Sequence, residues 1–159
     1  MQSESVFVET AGLRLQDRIV QEARTWLGTP YRHQATTRGA GTDCLGLIRG
    51  VWRAVIGPEP LTPPAYSMDW SEPSGEEILM QAAGQCLLRK PDLTLGAGDV
   101  LLFRMRDGCV AKHLGIVSTL EPTPRFIHAY TGYGVVESSL SGPWVRRIAA
   151  VYCFPEKAE

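Results

Sequence analysis

The apolar residues of this chain change their spacing once, near residue 96, and that change restricts the architecture more than any single motif. Before it, Leu15, Ile19, Val20, Ala23, Trp26 and Leu27 recur at helical intervals until Gly28 and Pro30 break the pattern. Cys44, Leu47, Ile48, Val51, Trp52 and Val55 predict a second helix that starts at about Cys44 and stops at Gly57-Pro58. Ser74 with Glu77 reads as a capping box for a third helix, whose buried stripe is Ile78, Leu79, Ala82 and Cys86, with Gly84 weakening it. After Gly96 the runs are short and β-rich: 100–103, 114–118, 125–130, 134–138 and 147–154, each bounded by turn formers. Helices first and closely connected strands second predict an α+β domain, with the N-terminal helices packed on an antiparallel sheet of about five strands.

Residues 28–43 carry turn formers without a period and predict a loop into the second helix. Five prolines at 58, 60, 63, 64 and 73 predict an irregular insertion over about 57–73 within one domain spanning 1–159. Its Tyr66, Met68 and Trp70 are residue types enriched at interfaces, so it reads either as a docking segment or as a solvated loop. A net charge of −1 excludes the basic excess expected of a nucleic-acid binder. No apolar run approaches the length of a membrane span, and the first residues lack a leader pattern, so the expectation is cytosolic synthesis without membrane insertion. The four cysteines, at 44, 86, 109 and 153, form no C-x-x-C pair, which predicts free thiols.

The chemistry is concentrated in 39-GAGTDCLGLIRGVWRAVIG-57, where a thiol opens a helix. Unpaired backbone N–H groups and the positive end of the helix dipole favour an anion there, which lowers a thiol pKa. Thr42 or Asp43 is the expected cap. Cys44 is therefore either a nucleophile or simply the first residue of a buried stripe, since free cysteine is often buried. Of the three histidines, His113 and His128 lie on adjacent predicted strands whose antiparallel pairing brings two imidazoles together, as a base and its orienting group require. His33, two residues beyond Tyr31, either lines the cleft or is a surface loop residue, the second being the favoured reading. Cys86, Cys109 and Cys153 have neither a base nor a helix start beside them and read as structural or incidental.

The pieces W-LGTPY at 26–31, G-TDCLGL at 41–47, GDVLLF at 98–103, KHLGIV at 112–117 and FIHAY at 126–130 together resemble the NlpC-type cell-wall peptidases, in that family's order. These are papain-like cysteine peptidases that cut peptide stems of bacterial peptidoglycan. The likeness is to the stand-alone form carried by phages and gene transfer agents. The resemblance implies Cys44 as nucleophile, His113 as general base and acid, and His128 as the residue orienting the imidazole. It further implies that the Tyr31 hydroxyl lies beside the thiol, that Asp43 holds a substrate amine, and that Asp99 is structural. Leu45 departs from the family's usual serine and deletes a hydroxyl near the substrate channel; the phage-type subset tolerates leucine there.

The implied reaction is hydrolysis of the bond between D-glutamate and a diamino acid, through a thioester and without a cofactor. The implied partners are peptidoglycan stem peptides and phage-like tail-tip proteins, and the implied setting is a virion or gene-transfer-agent tail acting at the cell wall. One alternative is a catalytically silent tail-structure protein that uses the same fold for docking. Another is a metal site built from Cys44, His113 and His128, whose ligand types suit zinc but whose sequence lacks the paired ligand spacings of structural sites.

Overall fold

The computed structural model describes residues 13–61, 63, 66 and 75–156. Helix α1 spans Leu15–Arg24, α2 Cys44–Val55 and α3 Ile78–Cys86. A two-stranded hairpin, β1 (Thr36–Thr37) and β2 (Gly41–Thr42), lies in the segment expected to be a plain loop. The main sheet comprises β3 (Leu88–Arg89), β4 (Val100–Arg104), β5 (Ala111–Thr119), β6 (Arg125–Tyr130), β7 (Gly134–Ser139) and β8 (Ile148–Cys153), and a short helix, α4 (Gly142–Val145), precedes β8. The architecture is the expected α+β arrangement, but the sheet has six strands in the order β3-β8-β4-β5-β6-β7, all antiparallel. The sixth is β3, two exposed residues paired to β8, too short to leave a periodic signal.

Helix α2 packs on one face of the sheet because its apolar stripe and the alternate strand residues are both inaccessible to water. Leu47 and Val51 meet Val100, Leu102, Leu114 and Ile116 in one core cluster, each 2% exposed or less. Burying each such side chain contributes about 2 kcal/mol. Trp26, two residues past the end of α1, packs on α2 at Gly50, where an added Cβ would lie 2.0 Å from its ring. The opposite face of the sheet carries a second cluster, Leu101, Phe103, Val117, Phe126, Leu140 and Val151, covered by Trp144 of α4.

The third helix corrects the capping-box expectation. Ser74 lies outside the described residues, and Glu77 sits at the N-cap without a side-chain capping bond. Its carboxylate instead accepts the backbone N–H of Ala111 at 2.9 Å and pairs with Arg104, tying the start of α3 to β4 and β5. Met68 and Trp70 of the proline-rich insertion also lie outside the described residues. At the far edge of the sheet, β7 is closed by the loop before Tyr31, with Gly28 N donating to Val135 O at 3.0 Å and Val135 N to Thr29 O at 2.9 Å.

Candidate active site

Asp43 is the cap of α2. Its Oδ1 accepts the backbone N–H of Gly46 at 2.8 Å, while the Thr42 hydroxyl donates to the Asp43 carbonyl at 3.0 Å. This cap sets the first turn so that Cys44 opens the helix. The turn is compact: a Cβ on Gly46 would lie 1.9 Å from the Ala35 carbonyl oxygen, so the G-TDCLGL run needs glycine there. Opposite the helix, the β5–β6 register runs from Thr119↔Arg125 to Ile116↔Ile127 and goes no further. Cys44 Sγ lies at that opening, 3.9 Å from the carbonyl oxygen of Lys112, the residue before His113.

Cys44 and His113 line the same cleft, together with Tyr31, Asp43, Tyr66 and Tyr130. His113 Nε2 is 2.8 Å from His128 Nδ1, and His128 Nε2 is 2.9 Å from Ser138 Oγ. The antiparallel strands thus bring the two imidazoles into a direct hydrogen bond. Both rings are buried: His113 is 7% exposed and His128 0%. His128 stacks on Phe126 at 4.2 Å between centroids, and Trp144 lies 5.7 Å from the His113 ring and 5.2 Å from that of His128.

Burial dictates the charge state of the resting site. It pushes the Cys44 thiol up to about 12, with the adjacent Asp43 carboxylate adding to the effect. Backbone N–H groups of Leu114, Leu45 and Cys44 oppose the shift without overcoming it. Burial likewise pushes His113 down to about 3, with His128 beside it adding, and His128 down to about 4. The sequence-based expectation of a thiolate populated by the helix start alone is therefore corrected: at neutral pH the site holds a thiol and two neutral imidazoles. A nucleophile forms here only by moving the thiol proton onto an imidazole.

These shifts make stability depend on pH. A histidine whose folded pKa lies below its unfolded value near 6.5 is protonated first in the unfolded chain, so its contribution is complete above about pH 6.5 and is lost as pH falls toward 4. Cys44, raised above its unfolded value, contributes fully below about pH 9 and loses that contribution at higher pH. Urea unfolding at fixed temperature is expected to show a stability plateau between these limits and, with both histidines contributing, a fall on the order of 5 kcal/mol from pH 6.5 to 4. A flat profile across that window would contradict the neutral, buried histidine pair.

Tyr31 lies at the cleft as expected. Burial raises its phenol pKa, the neighbouring Cys44 and Asp43 add to that, and a bond to the Thr131 side chain opposes it, so it stands as a protonated donor. Asp43 is held differently from the picture that the resemblance implies. It is 2% exposed, and besides the Gly46 bond its Oδ2 accepts the Gln34 N–H at 2.7 Å and the Tyr66 hydroxyl. Three of the roughly four acceptor positions of a carboxylate are thus taken from within the chain. One acceptor position is left for an incoming amine, beside the Tyr66 hydroxyl.

Of the two readings of His33, the less favoured one holds: its Nε2 donates to the Tyr66 carbonyl at 2.9 Å, and it lines the cleft. Asp99 accepts Lys90 Nζ at 2.7 Å and Gly96 N–H at 2.8 Å, which ties the turn before β4. Leu45 lines an apolar groove with Ile48, Trp52, Leu79 and Leu114. Leu45 is not among the residues that line the cleft. Cys86, Cys109 and Cys153 form no disulfide and do not line the cleft. Among the described residues no group of three His, Cys, Asp or Glu side chains could hold a metal ion.

Four contributors escaped the sequence reading. Tyr66 comes from the proline-rich insertion, and Ser138 ends a strand as one of two ordinary serines. Trp144 follows Gly142-Pro143, whose proline in the first helical turn was the available signal for α4. Gly115, quoted in KHLGIV, has a steric reason: a Cβ there would lie 2.8 Å from the Phe126 ring and 3.4 Å from His128 Cβ. Gly115→Ala is expected to cost about 1–3 kcal/mol in denaturant unfolding by forcing Phe126 and His128 apart. Gly84→Ala, which adds a methyl in open space on α3, is expected to stabilise by about 0.5–1 kcal/mol. Equal effects of the two changes would remove the steric account.

A thiol at a helix N-terminus, at a cleft that His113 also lines, with His113 bonded to His128 on an antiparallel sheet, is the arrangement expected of the papain-like class of cysteine hydrolase. No protein-family model matches the chain. It is 30% identical over 134 residues to the murein DD-endopeptidase MepS/murein LD-carboxypeptidase of Escherichia coli K12, a match covering 84% of this chain and 60% of that protein. It is 32% identical over 119 residues to the probable endopeptidase NlpC of Escherichia coli K12, covering 75% of this chain and 64% of that one. The chain thus spans less than two thirds of the length of either relative.

The fold matches that of the NlpC/p60 domain of the peptidoglycan hydrolase SagA, with a TM-score of 0.56, 24% identity, and coverage of 87% of this chain and 98% of that one. It also matches an NLP/P60-family protein of Staphylococcus aureus, with a TM-score of 0.59, 20% identity, and coverage of 90% and 42%. The chain is thus similar in sequence to NlpC-type endopeptidases, and it has the fold of NlpC/P60 domains.

Proposed function

We propose that the protein is a cysteine endopeptidase that hydrolyses peptide-stem bonds of bacterial peptidoglycan. The observation that carries this reading is the 2.8 Å contact between His113 and His128 at the cleft that Cys44 opens. Because His113 Nε2 is engaged by His128, its Nδ1 is the ring nitrogen left for the thiol. Substrate in the cleft excludes water, the Sγ proton moves to His113, and the sulfur attacks the scissile carbonyl. The N–H groups of Gly46 and Leu47 are spent on Asp43, so those of Cys44 and Leu45 are the first-turn donors available to a developing oxyanion. His113 then protonates the leaving amine, and water activated by the same ring releases the acyl group from sulfur.

The substrate class is supported by two relatives, one named a murein DD-endopeptidase and murein LD-carboxypeptidase and the other a probable endopeptidase, and by the fold shared with a peptidoglycan hydrolase. The finer choice of bond, D-glutamyl to diamino acid, and action within a phage-like tail rest on the motif resemblance. Tyr66 ties part of the proline-rich insertion to Asp43 and His33, so a tail partner docked on the insertion would touch the edge of the cleft.

Mass spectrometry of products from defined muropeptides tests activity and bond together. Cleavage after D-glutamate is expected. Cleavage of a D,D cross-link instead would keep the enzyme class and replace the bond, and no cleavage of any stem would remove the proposal. Association with purified tail components, together with slow digestion of intact sacculi by the free chain, is the expected signature of the tail setting.

A further inference from the structure

We infer that Ser138 is a positioning residue of this site: its Oγ accepts the Nε2–H of His128 and so fixes the direction of the hydrogen-bond chain that frees His113 for the thiol proton. The inference rests on the cysteine-hydrolase reading above. A neutral imidazole carries one N–H and one lone pair. For His113 Nδ1 to take a proton, its Nε2 must carry the hydrogen and donate it to His128 Nδ1 across 2.8 Å. His128 Nε2 must then carry a hydrogen in turn, and Ser138 Oγ lies 2.9 Å from it.

The reverse polarity fails chemically. If the Ser138 hydroxyl donates to His128 Nε2, then His128 Nδ1–H donates to His113 Nε2, and the hydrogen of His113 sits on Nδ1 with no lone pair left for the thiol. The forward polarity matters most once Nδ1 has gained the thiol proton, because the imidazolium must still donate from Nε2. His128 is fully buried, so losing Ser138 leaves its Nε2–H without a protein acceptor in an apolar surround.

The strand geometry delivers Ser138 to this place. His128 pairs with Val136, and Ser138, two residues along β7, lies diagonally across on the same face. Its neighbour Glu137 points to the opposite face, where it binds Arg24 at 2.7 Å and the Ser118 hydroxyl at 2.6 Å. Ser138 therefore serves the histidine pair and stands apart from that ion-pair network.

Two measurements on the full chain test the inference, neither of which needs a substrate. Nitrogen-15 NMR of the wild-type protein at neutral pH is expected to show His128 protonated at Nε2 and unprotonated at Nδ1; the opposite tautomer overturns the inference. Alkylation of Cys44 by iodoacetamide, followed by peptide mass spectrometry to separate the other three cysteines, reports how readily the thiolate forms. Ser138→Ala is expected to slow it about tenfold, the scale of one hydrogen bond to a charged partner, and Ser138→Thr to restore it to within about twofold. Alkylation of Ser138→Ala at the wild-type rate overturns the inference, and if that variant does not fold the tautomer measurement decides. On muropeptides Ser138→Ala is expected to lower kcat about tenfold at unchanged KM. Absence of wild-type turnover on every stem would instead remove the proposed function, leaving the tautomer and alkylation results to judge Ser138.

Discussion

Cys44→Ser is expected to lower muropeptide turnover on the order of 10⁴-fold or more while the circular dichroism spectrum and thermal midpoint stay near those of the unchanged protein. The substitution keeps size and capping geometry but replaces a sulfur that one imidazole can deprotonate by an oxygen that is far harder to ionise in the same dry surround. Cys86→Ser, Cys109→Ser and Cys153→Ser serve as controls and should each retain activity, because none of the three lines the cleft. Equal loss at Cys109 and Cys44 would sink the assignment of the nucleophile.

His113→Ala is expected to be nearly as damaging. Burial already holds the thiol well above its ordinary value, and without His113 no acceptor is left for its proton. His128→Gln should be milder, a loss of roughly ten- to a hundredfold, because the amide oxygen can still accept from His113 Nε2 while its NH₂ reaches toward Ser138. Turnover on one defined muropeptide at saturating concentration checks the order. A dead His128→Gln beside a near-normal His113→Ala would show the two roles to be exchanged.

Much of the architecture was legible in the chain because the relevant signals are local. The helical spacing from Cys44 to Val55 sets the bounds of α2 within the chain itself, and all five expected strands appear in the main sheet. The two-residue elements were not legible. Strands β1 and β3 owe their geometry to partners, and two residues carry no period. The cap of α3 misled for a related reason: Glu77 finds better partners in Arg104 and the Ala111 amide than in its own helix.

At the site, the sequence by itself determined the inventory: a thiol at a helix start, two strand histidines at a spacing that antiparallel pairing brings together, and an aspartate before the cysteine. These follow from residue type and near-neighbour periodicity, which no tertiary contact alters. The tertiary structure alone decided what state those groups are in and who serves them. Burial under Trp144 and against Phe126 keeps the histidines neutral and the thiol protonated, reversing what the helix start favours, because desolvation depends on how much apolar matter surrounds a group from every side. Tyr66 on Asp43 and Ser138 behind His128 reach the site from 23 and 10 residues away in sequence, by the path of an insertion and the register of a strand. Such contacts are set by where the folded backbone passes, and no local pattern encodes them.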